Sequence, residues 1–452
     1  MLNMAIQQQH TNLTCCEELK QSLGPRAKVF LPTTDGYSQA KRIWNGMFDN
    51  HSPALIVQVT GVADVQAVLK FAHQREHIQI NLKTITHIVF YVVEGLTVTA
   101  KAGGHSFAGL STIQDGIVID FIQMKSKLNL TKREEPHHIV VGFLAVIVNP
   151  GKREVLVEPG VLLAELDHET QAFGLATPTG ISMCISTWVF VQFFLNYLGV
   201  VSYTGVFGLV LGGGVGWLSR KFGASVDNIL SANVVLANGK HVTASADENP
   251  DLFWALRGCA SNFGIVTSLV LKAHPIGLCY RGNYNQKLFD AKVLEHRKYY
   301  ARSGSIDFDD MTIDFVNSVV ESINTLTSPY SFVELVAIGG IMKEISADET
   351  SYFHLRKQDW LVNIITSWCE GNGDEHINWC RETFRKLHAK APAAYLNLVM
   401  MDPPTNTTYK EQLNNAFGSN LNKLRIIKKK YDPFNFFRHN LNLLPADDNN
   451  DN

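Results

Sequence analysis

The stretch KAGGHSFAG, residues Lys101–Gly109, places a histidine directly after two glycines. The preceding residues, TVTA, are rich in β-branched side chains and predict a strand that ends in a glycine turn. Because glycine has no Cβ, the backbone at Gly103 and Gly104 can approach a ligand closely. A histidine beside that ligand can serve as a base, as a metal ligand or as a covalent attachment point. The turn by itself leaves these three uses open.

The composition is that of a globular protein and argues against several classes of partner. The chain has 452 residues, of which 46% are hydrophobic, and a formal net charge of −2. Nucleic acids and anionic membranes require a basic surface, so neither is expected as a partner. The seven cysteines include no CxxC pair, so we expect neither a disulfide framework nor a metal site. The N-terminus lacks a basic region followed by an apolar core, which predicts no secretory signal and a cytoplasmic location.

The pattern of predicted elements indicates an α+β protein with two main domains. Strand-like runs such as PALIVQVT (53–60) and GIVIDF (116–121) alternate with helical stretches up to Pro275. After Pro275 charged residues and tyrosines become denser, and helical patterns such as EHINWCRETFRKLHAK dominate. We therefore divide the chain into an N-terminal extension (1–48), a first domain (49–275), a second domain (276–424) and a C-terminal segment (425–446).

An ordered set of motifs carries a family resemblance over most of the chain from about residue 53 to residue 446. The set is KAGGHSFAG, GIVIDF, LATPTGI, TGVFGLVLGGGVGWLSRKFGASVDN, NPDLFWALRG, NFGIVTSLVLKAHP, AYLN and YDPFNFFRHN. It resembles the FAD-linked oxidases of the vanillyl-alcohol oxidase and p-cresol methylhydroxylase (PCMH) superfamily, in particular the berberine-bridge-like oxidoreductases. The dinucleotide pattern G-x-G-x-x-G is absent because Trp217 occupies its last position, so a Rossmann site is not predicted.

The resemblance implies a two-subdomain PCMH-type FAD-binding domain, followed by a substrate domain with an antiparallel sheet covered by helices, here shortened. It implies FAD as cofactor, joined covalently to His105. Relatives with a second flavin bond carry a cysteine where Val201 stands, so a single bond is expected. The glycine turns at 103–104 and 212–216 are expected to offer backbone N–H groups to the phosphates. The cofactor-binding residues implied are Lys101, Ala102, Gly103, Gly104, His105, Ser106, Gly109, Ser202, Gly205, Gly208, Gly212, Gly213, Gly214, Gly216, Asp227, Asn228, Gly264, Ile265, Val266, Asn440 and Asn442.

The resemblance also implies a reaction, namely hydride transfer from an alcohol, sugar or amine carbon to flavin, with reoxidation by O2. Tyr395, with Asn397, matches the tyrosine that acts as base in carbohydrate-oxidising relatives. A phenol has a pKa near 10, so this role requires a cationic or polar neighbourhood. Glu334, in SFVELVAIGG, is a weaker candidate on the substrate side. The sequence predicts neither the individual substrate nor the oligomeric state.

Three stretches depart from the family pattern and support an alternative interpretation. Residues 78–96, 129–150 and 182–200 interrupt motifs that are nearly continuous in relatives, and about a hundred residues of the substrate domain are missing after Pro275, judged against ordinary domain sizes. The insertions are apolar and poor in charge, as translated introns would be. An inactive flavin-fold protein or a faulty gene model is therefore the alternative. Residues 182–200 are also apolar enough to span a bilayer. A span there would separate the glycine turns, so no membrane association is expected.

Overall fold

The computed structural model describes residues 17–74, 96–125, 145–179, 202–276, 297–387, 395–398, 400 and 406–447. Most of the three stretches that depart from the family pattern, 78–95, 129–144 and 182–200, lie outside these residues. The α-helices of four or more residues within the described ranges include 17–22, Tyr37–Ala40, Val62–Gln74, Leu163–Gln171, Val206–Leu211, Ser219–Phe222, Pro250–Cys259, Ile313–Asn324, Ile341–Glu344, Asp374–Leu387, Asn406–Phe417 and Leu421–Tyr431. Across the described part of the chain, none of the helices has the length and apolar character needed to cross a membrane.

The first sheet has four strands in the order β1-β2-β4-β3. They are β1 (Lys28–Phe30), β2 (Leu55–Gln58), β3 (Val98–Lys101) and β4 (Ile117–Asp120). Strands β2 and β3 run parallel to β4, and β1 pairs antiparallel with β2. The region assigned to an N-terminal extension, 1–48, therefore contributes a strand to this sheet. Because β3 ends at Lys101, the glycine turn that follows lies at the carboxyl edge of the sheet, where open sheets bind ligands.

The second sheet has five antiparallel strands in the order β5-β6-β10-β8-β9. They are β5 (Val146–Asn149), β6 (Glu154–Val157), β8 (Ile229–Val235), β9 (His241–Ser245) and β10 (Ile265–Lys272), and the short β7 (Leu175–Ala176) and β11 (His274–Pro275) pair separately. Strand β5 belongs to the 129–150 stretch that departs from the family pattern. Its four residues pair in register with all four of β6. At least this end of the stretch is thus an integral part of the sheet.

The third sheet confirms the predicted antiparallel substrate-domain sheet covered by helices. It consists of β12 (Lys298–Ile306), β13 (Phe332–Ala337) and β14 (Trp360–Trp368), with β14 in the middle. The amphipathic helices Ile313–Asn324 and Asp374–Leu387 pack on it. They are linked where the Trp379 indole donates a hydrogen bond to the Ser322 carbonyl at 3.1 Å.

The C-terminal segment returns to the first domain, as the sequence predicts. Its helix ends at Tyr431, immediately before Asp432-Pro433, because proline cannot continue a helix. The fully buried Lys428 ammonium donates to Asp432 at 2.6 Å and to the Asn262 and Phe437 carbonyls at 2.7 and 3.0 Å. These bonds anchor the segment on the loop that precedes β10.

Candidate active site

A cavity of about 380 Å³ lies where the two sheets of the first domain meet the substrate sheet. Its size falls within the range of small-molecule and cofactor sites, roughly 300–1,000 Å³. Backbone of the glycine turn 102–106, of residues 204–212 and of the loop 258–266 forms one part of the wall. Side chains of the substrate sheet, among them Tyr299, Glu334 and Asn363, form another. A ligand in this cavity would therefore contact both domains.

The glycine turn is built by direct backbone contact between two segments. A Cβ on Gly103 would lie 2.3 Å from the Gly205 nitrogen, and a Cβ on Gly205 would lie 2.4 Å from the Gly103 nitrogen. No side chain fits between the two segments. Gly104 has φ +71°, a left-handed conformation that glycine adopts without strain. These constraints place His105 against the cavity, where its ring lines the wall.

His105 lies in an aromatic environment. Its ring stacks on Trp44 with centroids 5.3 Å apart and planes 22° apart, and it contacts the Tyr203 ring at 4.9 Å. Burial lowers the pKa of the imidazole to about 4 because the charged form loses its hydration. His105 is therefore neutral at neutral pH, with an unprotonated ring nitrogen available for chemistry.

Three glycine N–H groups of the 212–216 stretch are already paired within the protein. The N–H groups of Gly212, Gly213 and Gly216 donate to the Gly208 carbonyl, the Val210 carbonyl and the Ser219 hydroxyl at 3.3, 3.2 and 2.7 Å. These glycines are required instead by close packing. A Cβ on Gly212 would lie 2.1 Å from Asn397 Oδ1, one on Gly213 would lie 2.4 Å from the Tyr352 ring, and one on Gly214 would lie 1.9 Å from Ser225 Oγ.

Tyr395 and Asn397 face the cavity together, as the sequence predicts. The Tyr395 hydroxyl accepts hydrogen bonds from the Val215 N–H at 3.2 Å and from Asn397 Nδ2 at 3.0 Å. The same Asn397 amide donates to the Leu209 carbonyl at 3.0 Å. The neighbourhood is polar, as the role of a base requires, but burial outweighs these bonds and raises the pKa of Tyr395. Tyr395 is therefore a phenol at neutral pH, and it takes up a proton only if its own hydroxyl proton passes to another group.

Glu334 is a buried carboxyl group on β13 that lines the same cavity. Asn363 Nδ2 donates to Oε2 at 2.8 Å, and the Ser303 hydroxyl donates to Asn363 Oδ1 at 2.6 Å. Oε1 is buried and has no hydrogen-bond partner within the part of the chain that the structure describes. Burial raises the pKa of Glu334 to about 7, and the carboxylate charge contributes to the raised pKa of Tyr395. Glu334 therefore exchanges a proton near neutral pH and has one oxygen available to a ligand.

Most residues expected to contact the cofactor or substrate line the cavity. Those in the lining are Ala102, Gly103, Gly104, His105, Ser106, Gly205, Gly208, Gly212, Gly264, Ile265, Val266, Tyr395, Asn397 and Asn440. Those outside it are Lys101, Gly109, Ser202, Gly213, Gly214, Gly216, Asp227, Asn228 and Asn442.

Three side chains outside the lining are used to hold the scaffold together. The Lys101 ammonium donates to the Ala40 carbonyl at 2.7 Å and lies 3.7 Å from Asp120. Asp227 forms a bidentate ion pair with Arg356 at 2.7 and 2.6 Å. Asn228 lies 2.7 Å from His274 Nε2 and donates to two backbone carbonyls. Each polar group is already paired within the protein, which explains why it does not face the cavity.

The sequence prediction missed several residues of the wall, including Trp44, Arg297, Tyr299, Tyr330 and His439. The guanidinium of Arg297 lies 3.4 Å from the centroid of the Tyr330 ring, a cation–π contact. Apart from His439, which lies in YDPFNFFRHN, these residues belong to none of the motifs, and they come from segments far apart in the chain. No local sequence signal marks them as part of one site.

The wall has the properties required to hold FAD. The described lining contains one carboxylate, Glu334, and it lies on the substrate sheet rather than beside the glycine turn or the loop 258–266. A diphosphate near those backbone segments would therefore meet no anionic side chain. Asn440 Oδ1 and Thr204 Oγ1 are buried, line the cavity and have no hydrogen-bond partner among the described residues. The loop is held in place by the C-terminal segment, since Asn440 Nδ2 donates to the Ser261 carbonyl at 2.8 Å and the Leu443 N–H donates to Asn262 at 2.9 Å.

Comparisons with known proteins agree with this geometry. The family described as "FAD binding domain" matches residues 53–190 and 191–245, and "Berberine and berberine like" matches residues 394–443. An FAD-linked oxidoreductase of Dictyostelium discoideum is 24% identical over 92% of this chain and 94% of its own length. A xylooligosaccharide oxidase of Thermothelomyces thermophilus is 37% identical over 42% of this chain, but the match covers only 32% of that protein.

The fold is shared with a solved structure. The solved structure of wild-type BBE-like 1 from Physcomitrella patens superposes with a TM-score of 0.73 at 20% identity. The superposition covers 96% of this chain and 99% of the other. The two proteins therefore have the same overall fold. This protein belongs to the berberine-bridge-like FAD-linked oxidoreductases with a PCMH-type FAD-binding domain.

Proposed function

We propose that the protein is an oxidase that removes a hydride from an alcohol, sugar or amine carbon and carries its FAD on His105. The observation that supports this most directly is the placement of His105: half-buried, neutral and on the wall of the cavity, directly after the glycine contact with residue 205. A neutral imidazole has the lone pair that a covalent bond to the flavin requires. The xylooligosaccharide oxidase among the relatives supports a sugar or other alcohol as substrate.

One group of residues would hold the cofactor, and a second group would accept the proton that the substrate loses. When bound, FAD supplies the hydride acceptor. The backbone of Gly103–Ser106 and the loop 258–266, with the Asn440 amide oxygen, would hold it. On the substrate side, Glu334 Oε1 is open to accept a hydrogen bond from the substrate hydroxyl or amine, and so to take its proton. Tyr395, held by Asn397 and Val215, would take part in the same transfer by accepting the substrate proton as its own hydroxyl proton passes to the Glu334 carboxylate.

Covalent attachment is tested without knowing the substrate. The full chain, the His105→Ala variant and the His439→Ala variant are expressed, precipitated with acid and run on a denaturing gel. His439 also lines the cavity and serves as the matched histidine control. We expect flavin fluorescence on the polypeptide in the parent and in His439→Ala, and none in His105→Ala. Fluorescence in His105→Ala would refute the attachment at His105, and flavin-free protein in every sample would favour an inactive flavin-fold protein.

The use of O2 is tested separately from the attachment. The bound flavin is photoreduced without oxygen and mixed with air-saturated buffer while its absorbance is followed. An oxidase reoxidises rapidly and forms a stoichiometric amount of hydrogen peroxide. Reoxidation no faster than that of free reduced flavin, without stoichiometric peroxide, would identify a dehydrogenase.

A further inference from the structure

Residues Trp44, Asn45 and Gly46 form a buried connection between the glycine turn and the substrate sheet. Asn45 is completely buried and makes four hydrogen bonds through its side chain. Its Nδ2 donates to the Phe107 carbonyl at 2.8 Å and to the Tyr299 carbonyl at 2.9 Å. Its Oδ1 accepts from the Tyr299 N–H at 2.9 Å and from the Met47 N–H at 3.1 Å. One amide therefore ties the turn that carries His105 to strand β12.

The backbone on either side of Asn45 strengthens the same connection. The Trp44 N–H donates to the Gly104 carbonyl at 3.0 Å, next to His105 in the chain. The Gly46 N–H donates to the Arg297 carbonyl at 2.8 Å, at the start of β12. Since buried backbone groups are costly to leave unpaired, this arrangement fixes three segments relative to one another.

The Trp44 indole extends this connection to the histidine ring. Its ring stacks on Tyr299 with centroids 4.1 Å apart and planes 20° apart, and on His105 with centroids 5.3 Å apart and planes 22° apart. The indole is 7% exposed, and its Nε1 has no hydrogen-bond partner. Within the part of the chain that the structure describes, no hydrogen bond holds the His105 ring. Aromatic contacts therefore set the plane of the imidazole.

We propose that Trp44 and Asn45 are positioning residues that orient His105 for attachment of the flavin and couple that orientation to the substrate sheet. The proposal rests on the covalent attachment proposed above. Trp44 acts on the imidazole by stacking, and Asn45 acts by fixing Trp44 and Phe107 relative to β12. The N-terminal region is thus part of the active site rather than an extension outside it.

The test uses the full chain with Trp44→Leu, Trp44→Met and Trp44→Phe, and Trp217→Leu as a control. Trp217 is 51% exposed and lies outside the cavity lining. Covalent flavin is measured by fluorescence after acid precipitation, and total bound flavin by absorbance before it. We expect Trp44→Leu and Trp44→Met to lower the covalent fraction of the folded protein at least tenfold, while the loss of buried ring contacts lowers the temperature of unfolding. Trp44→Phe retains a stacking ring and should restore most of the covalent fraction, while Trp217→Leu should behave as the parent.

A second readout is independent of the flavin bond. The full chain is labelled with 15N-histidine in riboflavin-depleted cells, and His105 is titrated by NMR. In the parent the imidazole should stay neutral down to a pKa of about 4. In Trp44→Leu or Trp44→Met the ring gains access to water, and its pKa should rise towards 6.5. If one of the two variants fails to fold, the other decides.

The outcomes separate the two proposals. A parent without covalent flavin, combined with a His105 titration that shifts in the variants, would overturn the attachment but leave the role of Trp44 in setting the His105 environment. The parent could instead carry covalent flavin, with the same covalent fraction in Trp44→Leu and Trp44→Met. This result would overturn the positioning role alone. An unshifted titration in those variants would also count against it.

Discussion

The Asn397 amide donates a hydrogen bond to the Tyr395 hydroxyl at 3.0 Å, and both residues lie on one short segment that lines the cavity. The second N–H of this amide is held by the Leu209 carbonyl at 3.0 Å. Asn397 is therefore fixed by the flavin-domain helix that precedes the triple glycine. The Asn397 amide therefore links the hydroxyl of the candidate catalytic tyrosine to this helix, which also lines the cavity.

Replacing Tyr395 by phenylalanine should slow turnover while leaving the flavin in place. The variant lacks the hydroxyl that accepts from Val215 and Asn397 and that faces the cavity. Loss of a proton-transfer group typically lowers the rate by about 10²–10⁴-fold. The measurement is the rate of flavin reduction without oxygen, with the best substrate from a panel of alcohols, sugars and amines. A rate close to that of the parent would exclude Tyr395 from the proton transfer.

A methyl group at Gly212 should disturb the same pair from the opposite side. A Cβ there would lie 2.1 Å from Asn397 Oδ1, so Asn397 must move and its bond to Tyr395 must weaken. Overpacking of this kind costs roughly 1–3 kcal/mol. Gly208 is the control, because a Cβ there meets nothing within 4 Å and the residue lies inside a helix. Gly208→Ala should stabilise the flavin-free chain by about 0.5–1 kcal/mol. Urea unfolding of both variants checks the prediction, which fails if Gly212→Ala is as stable as the parent.

The sequence is sufficient to predict the turn that carries His105 and the Tyr395–Asn397 pair, because both lie in short motifs whose residues act locally. It does not distinguish two reasons for a glycine. Gly103 allows backbone contact beside the cavity, whereas Gly213 and Gly214 make room for Tyr352 and Ser225. A Cβ is excluded both where backbone meets backbone, as at Gly103, and where a side chain fills the space, as at Gly213 and Gly214. Which of the two applies depends on residues that are distant in the chain.

Polar residues inside a motif raise the same difficulty. Asp227 follows the triple glycine in the family pattern, but its carboxylate is paired with Arg356, 129 positions away. Trp44 reaches His105 from the N-terminal region, and Glu334 reaches the cavity through the register of β13 with β14. Such contacts follow from tertiary packing, which a single sequence does not display.

Replacing Glu334 by glutamine should make the protein more stable at high pH. The folded pKa of about 7 lies above the ordinary value of 4.5, so the contribution of Glu334 to stability is full below pH 4.5 and is lost as the pH rises through 7. The loss corresponds to about 3 kcal/mol above that range. Glutamine carries no charge, so the difference in free energy of unfolding between variant and parent should grow in favour of the variant from about pH 5 to about pH 8.

The measurement for Glu334 is denaturant unfolding at several pH values, with Glu370→Gln as the control on an exposed glutamate. Other titrating groups are common to parent and variant and cancel in the difference. Parallel stability curves for Glu334→Gln and the parent would show that this carboxyl group titrates as it does in water. The proposed role as proton acceptor would then lose its support.

Breaking the ion pair between Asp227 and Arg356 should destabilise the contact between the two domains. The pair is bidentate, and the side chains are 8% and 1% exposed. Arg356 also donates to the Thr350 hydroxyl at 2.7 Å, so Arg356→Met would leave a buried carboxylate and a buried hydroxyl without that partner. Removing one member of a buried pair costs roughly 3–5 kcal/mol.

The exposed pair Lys343–Asp359 provides the comparison for this effect. Its atoms are 2.9 Å apart, but its side chains are 38% and 29% exposed, so Lys343→Met should cost no more than about 1 kcal/mol. The free energy of unfolding is measured for both variants and for Asp227→Asn combined with Arg356→Met. The double variant removes both charges and should recover part of the loss, because the cost of Arg356→Met comes mainly from the carboxylate left unpaired. Equal costs for Arg356→Met and Lys343→Met would show that water screens the Asp227 pair and that it contributes no more to stability than an exposed pair.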